Sequence, residues 1–416
     1  MRISARAASL KASSTVAVMN RAKALLAAGE PVLNFSAGEP DFNTPERAKA
    51  AGMAAIAANQ TKYIETAGDI GTRTLVADLL TRINGIPGVT PAHIILTAGV
   101  KMALYLAFES LFDAPAPGVP AQEFILPVPA WVSFAPMATL AGAKVVEVQM
   151  TPETGFKLTA AALKAAITPR SRAVLINAPS NPCSTMYTRE ELEAIAAVVA
   201  EAAATIAPEL VIVADELYQN IVFGAVPFMS IGSIPSVAER TITINGPGKS
   251  FAMTGWRLGW ASGSAEFGKA VIGAMTKLQG QTTTCVPAFA LAAMRSALTE
   301  CEDDLAMMRA AFARRADLIF SLLSAIPGVK VARPVGAFYV FPDISAYLGK
   351  TTPKGKRLDG AKEVADALLE EQQMAVVPGE DFGGTGYRNI RISFACPEAQ
   401  IEEGMRRLGA FLKSLK

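Results

Sequence analysis

The chain has 416 residues, a length that suits roughly two or three domains, and its 39 basic and 37 acidic side chains nearly cancel, so no strong field favours nucleic acid or an anionic membrane surface. The four cysteines, Cys183, Cys285, Cys301 and Cys396, form no CxxC pair and no cluster, which argues against a disulfide framework and a zinc site and fits a reducing cytoplasm. The single histidine, His93, excludes a multi-histidine metal site; it follows Thr90-Pro91 before an apolar run, where an ordinary surface-loop histidine is expected, and any catalytic proton carrier is then a Lys, a Tyr or a carboxylate.

Residues 1–29 hold no acid and are rich in Arg, Lys, Ser and Ala, as organelle transit peptides are. The pattern favours instead an ordinary helix over 14–28 that stops at Gly29. From about residue 45, short apolar strands alternate with helices. Pro45 suits a first helical position and opens a helix through 58. Strand 94–97 leads through Gly99 into a helix, and 123–126, 144–148 and 173–177 read as further strands. Thr188-Arg-Glu-Glu191 is a capping box that starts a helix to about 204. The apolar strand 210–214 is closed by Asp215, and strand 241–245 follows. The uncharged stretches 124–143 and 219–238 are long enough for membrane spans, but Pro127, Pro129 and Pro136 interrupt the first and Pro227 and Pro235 the second, so strand, loop and helix are expected. Continuous apolar strands separated by helices imply a sheet covered on both faces. A helical region from 272 to about 324 ends at Pro327-Gly328. Strands 329–332, 337–342, 374–378 and 390–394, with helices 362–370 and 398–412, then form a smaller α+β unit over about 315–416.

Three features lie at strand ends, where open α/β sheets place their ligands. Leu96-Thr-Ala-Gly99-Val100-Lys101 runs from a strand into a helix start, whose free N–H groups suit a phosphate. Asp215-Glu-Leu-Tyr218 puts a charge at the mouth of a buried strand, which is costly without a partner unless the carboxylate simply caps a helix. Asn245-Gly-Pro-Gly-Lys249-Ser-Phe-Ala-Met-Thr-Gly-Trp-Arg257 places a lysine in a glycine-rich turn. A nucleotide-binding P-loop is disfavoured there, because its first glycine falls at Thr243.

With these go Ser36-Ala-Gly38-Glu-Pro-Asp-Phe42, Thr61-Lys-Tyr63, Pro129-Ala-Trp131-Val-Ser, Asn177-Ala-Pro-Ser-Asn181-Pro, Gly336-Ala-Phe-Tyr339, Val377-Pro-Gly379 and Arg391-Ile-Ser. In this order and spacing the chain resembles, over nearly its whole length, the class I aminotransferases of the aspartate aminotransferase superfamily, fold type I. It looks closest to the bacterial branch of aspartate and aspartate/prephenate aminotransferases.

The resemblance implies an α/β fold with a large domain over 45–314, built on a mostly parallel seven-stranded sheet covered by helices, and a small α+β domain made from 1–44 and 315–416. It implies pyridoxal 5'-phosphate as cofactor and a cytoplasmic homodimer that acts on amino and 2-oxo acids, with no metal, nucleic acid or membrane. Lys249 matches the Schiff-base lysine, Asp215 the carboxylate that keeps the pyridine nitrogen protonated, Tyr218 the donor to the ring oxygen and Trp131 the aromatic stacked on the ring. Gly99, Val100, Lys101 and Arg257 match phosphate-site positions, and Tyr63 matches a phosphate ligand donated by the partner subunit. Arg391 matches the arginine for the substrate α-carboxylate, Asn181 supports that carboxylate and the ring oxygen, and Gly38 contributes backbone. Lys101 and Thr15 match positions that meet the distal carboxylate of acidic substrates, with phosphate neutralisation the other role open to Lys101. The implied reaction is ping-pong transamination of an acidic amino acid such as aspartate or glutamate. Prephenate or aromatic amino acids are the nearest alternative; elimination, oxidation or cyclisation on the same carbanion, or a non-catalytic binding role, lie further away. The chain departs from the common pattern at Cys183-Ser184, where relatives commonly show Thr-Gly, at Val100, often Gly, and at Gly246, in some a serine that binds phosphate.

Overall fold

Aliphatic and β-branched runs bounded by turns become strands here because both of their faces are buried. The computed structural model describes residues 2–8, 10 and 14–416, with side chains at all of these except 5, 6 and 14–16. In chain order its strands are β1 (Leu33–Asn34), β2 (Ile94–Thr97), β3 (Glu123–Val128), β4 (Lys144–Gln149), β5 (Ser171–Asn177), β6 (Val211–Asp215), β7 (Thr241–Asn245), β8 (Gly259–Ser262), β9 (Tyr339–Val340), β10 (Met374–Ala375), β11 (Val377–Pro378) and β12 (Ile390–Ser393).

The central sheet has seven strands in the order β2-β8-β7-β6-β5-β3-β4, parallel throughout except for β8, which is antiparallel to both β2 and β7. The two-residue period of a strand sends Phe124, Leu126, Leu175 and Val213 to one face, where they meet Phe108 and Phe134. It sends Ile125, Val174, Ile176 and Ile212 to the other, where Ile195 and Val199 of helix Arg189–Thr205 cover them. That helix starts at the expected capping box. Thr188 Oγ1 accepts from Glu191 N–H at 3.3 Å, and Glu191 Oε2 accepts from Thr188 N–H at 2.8 Å.

The smaller unit holds a three-stranded sheet, β11-β12-β9, and a separate parallel pair, β1-β10. Helix Glu398–Ser414 buries Ile401, Met405, Leu408, Phe411 and Leu412, a stripe at helical spacing, in one core with Ile319 and Leu323 of helix Glu302–Ser324. Near the N-terminus, helix Ser14–Ala27 is followed by Gly29 at φ 85°, and Glu30 N–H returns to the Leu25 carbonyl at 3.0 Å, a left-handed helix stop. Arg21 of that helix pairs with Asp366 and Glu370, and Ala22 packs with Val32, Leu369 and Ala375.

Several expectations need correction. His93 is not a surface-loop residue: it is buried, its Nδ1 sits 2.8 Å from Thr90 Oγ1, and its Nε2 sits 3.1 Å from the Ala265 carbonyl. The turn before it was legible, but not the distant helix Ala265–Thr282 whose first carbonyl covers the ring. The expected strand 329–332 is reduced to one bridge, Lys330 to Asp343, and 337–342 contracts to β9. The run 374–378 splits into β10 and β11, which pair with different strands. Strand β8 and helix Ile70–Arg82, capped by Asp69 through Thr72 N–H at 2.8 Å, were not anticipated. Among the described residues no helix is long and apolar enough to cross a membrane.

Candidate active site

Parallel pairing aligns the carboxyl ends of neighbouring strands. In register, Asn177 of β5 lies beside Asp215 of β6, and Asp215 lies beside Ile244 of β7. Asn177 Nδ2 donates to the Asp215 carbonyl at 3.0 Å, and its Oδ1 accepts from Asn181 N–H at 3.1 Å, so one side chain ties β6 to the loop that carries Asn181. Past β7, Asn245 Oδ1 accepts from Gly246 N–H at 2.7 Å, and the single turn Pro247–Ser250 presents Lys249, whose Nζ donates to the Gly38 carbonyl.

The antiparallel strand β8 completes the arrangement. Its first residue, Gly259, pairs with Thr97, and Trp260 pairs with Asn245, so β8 begins where β2 and β7 end. Arg257, two residues before β8, is thereby delivered to Gly99. Its guanidinium donates to the Thr254 carbonyl at 2.9 Å and the Ala98 carbonyl at 3.4 Å. Gly99 has φ 84°, and a Cβ there would stand 2.6 Å from Arg257 Nη2, so only glycine permits this approach. Helix Val100–Leu111 starts at this point; Met102 and Ala103 N–H return to the Gly99 carbonyl at 3.0 and 3.3 Å, which leaves the N–H groups of Val100 and Lys101 without an intrahelical acceptor. A side chain at Gly246 would meet the Leu258 carbonyl at 2.8 Å and a Val100 methyl at 3.1 Å. The two departures from the family pattern therefore touch: the volume carried by Val100 occupies space beside a residue that has none.

These elements enclose a cavity of about 210 Å³ lined by Gly38, Gly99, Val100, Lys101, Trp131, Asn181, Asp215, Tyr218, Lys249, Arg257 and Arg391. Eleven of the thirteen site residues expected from the sequence thus meet in one place. Tyr63 does not; it is 85% exposed in a separate surface hollow with Ala288 and Arg295. Thr15 lies in helix Ser14–Ala27, and its side chain is outside the described residues. Missed from the sequence were Tyr339, Asn177, Leu217, Gly248, Met253, Thr254 and Leu258, which also line the cavity. Tyr339 had a signal in the Gly336-Ala-Phe-Tyr339 landmark: its hydroxyl is 2.7 Å from that of Tyr218, and it stands 2.9 Å from where a Gly38 Cβ would be.

The electrostatics of the cavity are unbalanced. Burial pushes the Asp215 carboxyl up to about 7, against the Leu217 N–H that it accepts at 3.2 Å and the charge of Lys249. Burial likewise brings Lys249 down to about 8; Glu39 opposes this, and Arg391 and Arg257 reinforce it. The Tyr218 hydroxyl is held well above its ordinary value by burial and by Tyr339. Lys101 Nζ lies 4.9 Å over the Trp131 ring, with its pKa lowered by burial and then by Arg257. Arg391 is 2% exposed. It donates to Asn181 Oδ1 at 3.2 Å and to the Ser36 carbonyl at 2.7 Å, its guanidinium lies 4.7 Å over the Tyr339 ring, and its Nε has no hydrogen-bond partner. Burial lowers its pKa, opposed in part by Tyr339, Tyr218 and the charge of Asp381. A buried cation is costly, and an anionic ligand would offset that cost further.

The sequence profile of aminotransferase class I and II matches residues 30–408. The chain is 40% identical to an aspartate/prephenate aminotransferase of Cereibacter sphaeroides, over 98% of both chains. Its fold matches the crystal structure of an aspartate aminotransferase from Rhizobium meliloti with a TM-score of 0.91 and 34% identity, over all of both chains. It also matches an aspartate aminotransferase of Thermus thermophilus determined with maleate, with a TM-score of 0.88 and 37% identity, over 99% of this chain and all of that one. Sheet topology, the cavity at its carboxyl edge and full-length similarity agree: the chain belongs to the aminotransferase class I and II family.

Proposed function

We propose that this aminotransferase holds pyridoxal 5'-phosphate in the cavity and exchanges the amino group of an acidic amino acid, aspartate or glutamate, with a 2-oxo acid in a ping-pong cycle. The observation that carries the reading is Arg391, buried with its Nε unpartnered in the lining of the same cavity as Lys249 and Asp215.

The donor set fits the cofactor. The Gly99 cradle, the N–H groups of Val100 and Lys101 and the Arg257 guanidinium suit a phosphate. Asp215 suits a protonated ring nitrogen, which offsets the burial that now holds its carboxyl near 7. When bound, pyridoxal phosphate supplies an aldehyde for attachment of an amine and a ring that accepts an electron pair from the substrate. Lys249 Nζ, brought to about 8, is the attaching amine and afterwards takes the substrate's Cα proton. With the cofactor bound, the Tyr218 hydroxyl would donate to the ring oxygen and Trp131 would pack against the ring, while Asn181 holds the Arg391 fork and Gly38 lines the cavity with backbone.

Lys101, whose Nζ lies over the Trp131 ring, would receive the distal carboxylate, a role shared with Thr15. The maleate named with the Thermus structure, itself a dicarboxylate, supports this. Tyr63 reaches the cofactor phosphate of the partner subunit in a homodimer; its exposure, with that of Met53, Ile56 and Ile70, supports a covered surface there. A large unit of 45–314 and a small one from both termini are supported by cores that divide within helix Glu302–Ser324. Four free cysteines accord with a cytoplasmic setting.

The test is product analysis with aspartate, glutamate, alanine, phenylalanine and prephenate partners against 2-oxoglutarate and oxaloacetate. Parallel initial-velocity lines and a preference for dicarboxylates are expected. Products of elimination or oxidation, or indifference between aspartate and alanine, would reject the proposal. Prephenate, which also carries two carboxylates, is the second substrate that Lys101 suits.

A further inference from the structure

The loop that carries Asn181 also carries the unexplained departure Cys183-Ser184. Ser184 is fully buried with φ 55°, a left-handed conformation that favours glycine. A glycine would adopt it freely, so the serine calls for a reason of its own. Its Oγ accepts from Tyr339 N–H at 3.1 Å, its carbonyl accepts from Val335 N–H at 3.1 Å, and its own N–H goes to the Ser180 carbonyl at 3.0 Å. Tyr339 belongs to β9, an edge strand of the order β11-β12-β9, so its outward side has no neighbouring strand. The hydroxyl of Ser184 stands in for that missing partner. Tyr339 in turn is the platform under the Arg391 guanidinium, at 4.7 Å, and its hydroxyl meets Tyr218 at 2.7 Å. Asn181, three residues before Ser184, accepts from Arg391 at 3.2 Å. One loop therefore grips both members of the Tyr339–Arg391 stack.

We infer that Ser184 is a positioning residue: its hydroxyl fixes Tyr339, and through that ring the plane of the Arg391 guanidinium that receives the substrate carboxylate. The inference rests on the carboxylate role proposed for Arg391. Ser184→Gly and Ser184→Ala both delete the hydroxyl but differ in backbone: glycine relieves the left-handed conformation and alanine retains it, so Gly is the more stable variant. Hydrogen exchange on the full-length chain, resolved to single amides, is expected to show faster exchange at Tyr339 in both variants. The KM values for amino donor and for 2-oxo acid are expected to rise together by about 2- to 10-fold in both, the worth of one neutral hydrogen bond, with kcat changed less. Unchanged protection of Tyr339 in both variants, or a KM that rises in the alanine variant alone and so follows stability, overturns the inference. A wild-type chain that transfers no amino group would reject the functional reading instead, while exchange at Tyr339 would still decide whether Ser184 holds it.

Discussion

Replacing Arg391 with methionine separates binding from stability. The side chain donates to Asn181 Oδ1 and the Ser36 carbonyl, and burial lowers its pKa despite the charge of Asp381, so the cation is only partly compensated. A substrate carboxylate held by its fork gains two charge-assisted hydrogen bonds of about 1.5–3 kcal/mol each. Their loss lowers kcat/KM by roughly 10²- to 10⁴-fold. Stability responds differently. Methionine strands two acceptors at about 1–3 kcal/mol each. It also removes a buried cation whose desolvation costs several kcal/mol and is offset only in part by Asp381, so the two effects largely cancel. Tm is expected to stay within about 5 °C of the parent. Arg391→Lys keeps a charge but not the planar fork, and still loses at least about tenfold. The assays are initial rates with aspartate and 2-oxoglutarate, and thermal unfolding followed by circular dichroism. A loss in kcat/KM below about tenfold for the methionine variant, with Tm preserved, would refute the carboxylate role. A collapse in Tm would refute the claim that the cost of burying the cation offsets its hydrogen bonds.

Lys101→Ser should lower kcat/KM for aspartate and glutamate by about 10- to 150-fold, one charge-assisted hydrogen bond, and spare alanine; equal loss for all donors would assign Lys101 to phosphate instead. Asp215→Asn bears on pH. The folded-state value near 7 lies above the ordinary 3.8, so this carboxyl costs nothing below about pH 4, costs more as pH rises to 7, and costs its full amount, on the order of a few kcal/mol, above that. In the chain without added cofactor, the Asn variant should therefore raise Tm at pH 8 and leave it unchanged at pH 4, while activity with cofactor falls; a stabilisation equal at both pH values would contradict the burial argument. Mixing inactive Lys249→Ala with impaired Tyr63→Phe should recover activity through hybrid dimers with one intact site, whereas a fully active monomer in sedimentation would contradict shared sites.

Much of this was legible in the sequence, for reasons that particular residues make plain. Strands β5 and β6 are doubly buried, so Ala173–Asn177 and Leu210–Asp215 are apolar on both faces and stand out. Thr188 and Glu191 announce a helix start through side chains that bond to backbone three residues away. Features built by distant partners were not legible. Gly259-Trp-Ala-Ser262 becomes a strand because β2 and β7 flank it, not through its own pattern, yet it delivers Arg257 to Gly99. His93 is buried by the Ala265 carbonyl, far along the chain. Expected strands near 330 and 340 shrink because pairing in the small sheet is limited to a few residues. At the site, residues with a chemical signature were found, whereas Tyr339 showed only as part of a landmark and Ser184 only as a departure from the family pattern, because their contacts, Tyr218 and Arg391 for one and the Tyr339 N–H for the other, come from distant parts of the chain.

The central claim is that Lys249 is the amine to which the cofactor attaches. The purified chain, incubated with pyridoxal phosphate, reduced with borohydride and digested, should yield a single labelled peptide containing Lys249, and Lys249→Ala should yield none. Label on Lys101 or any other lysine, or no label on the parent chain, would contradict the account.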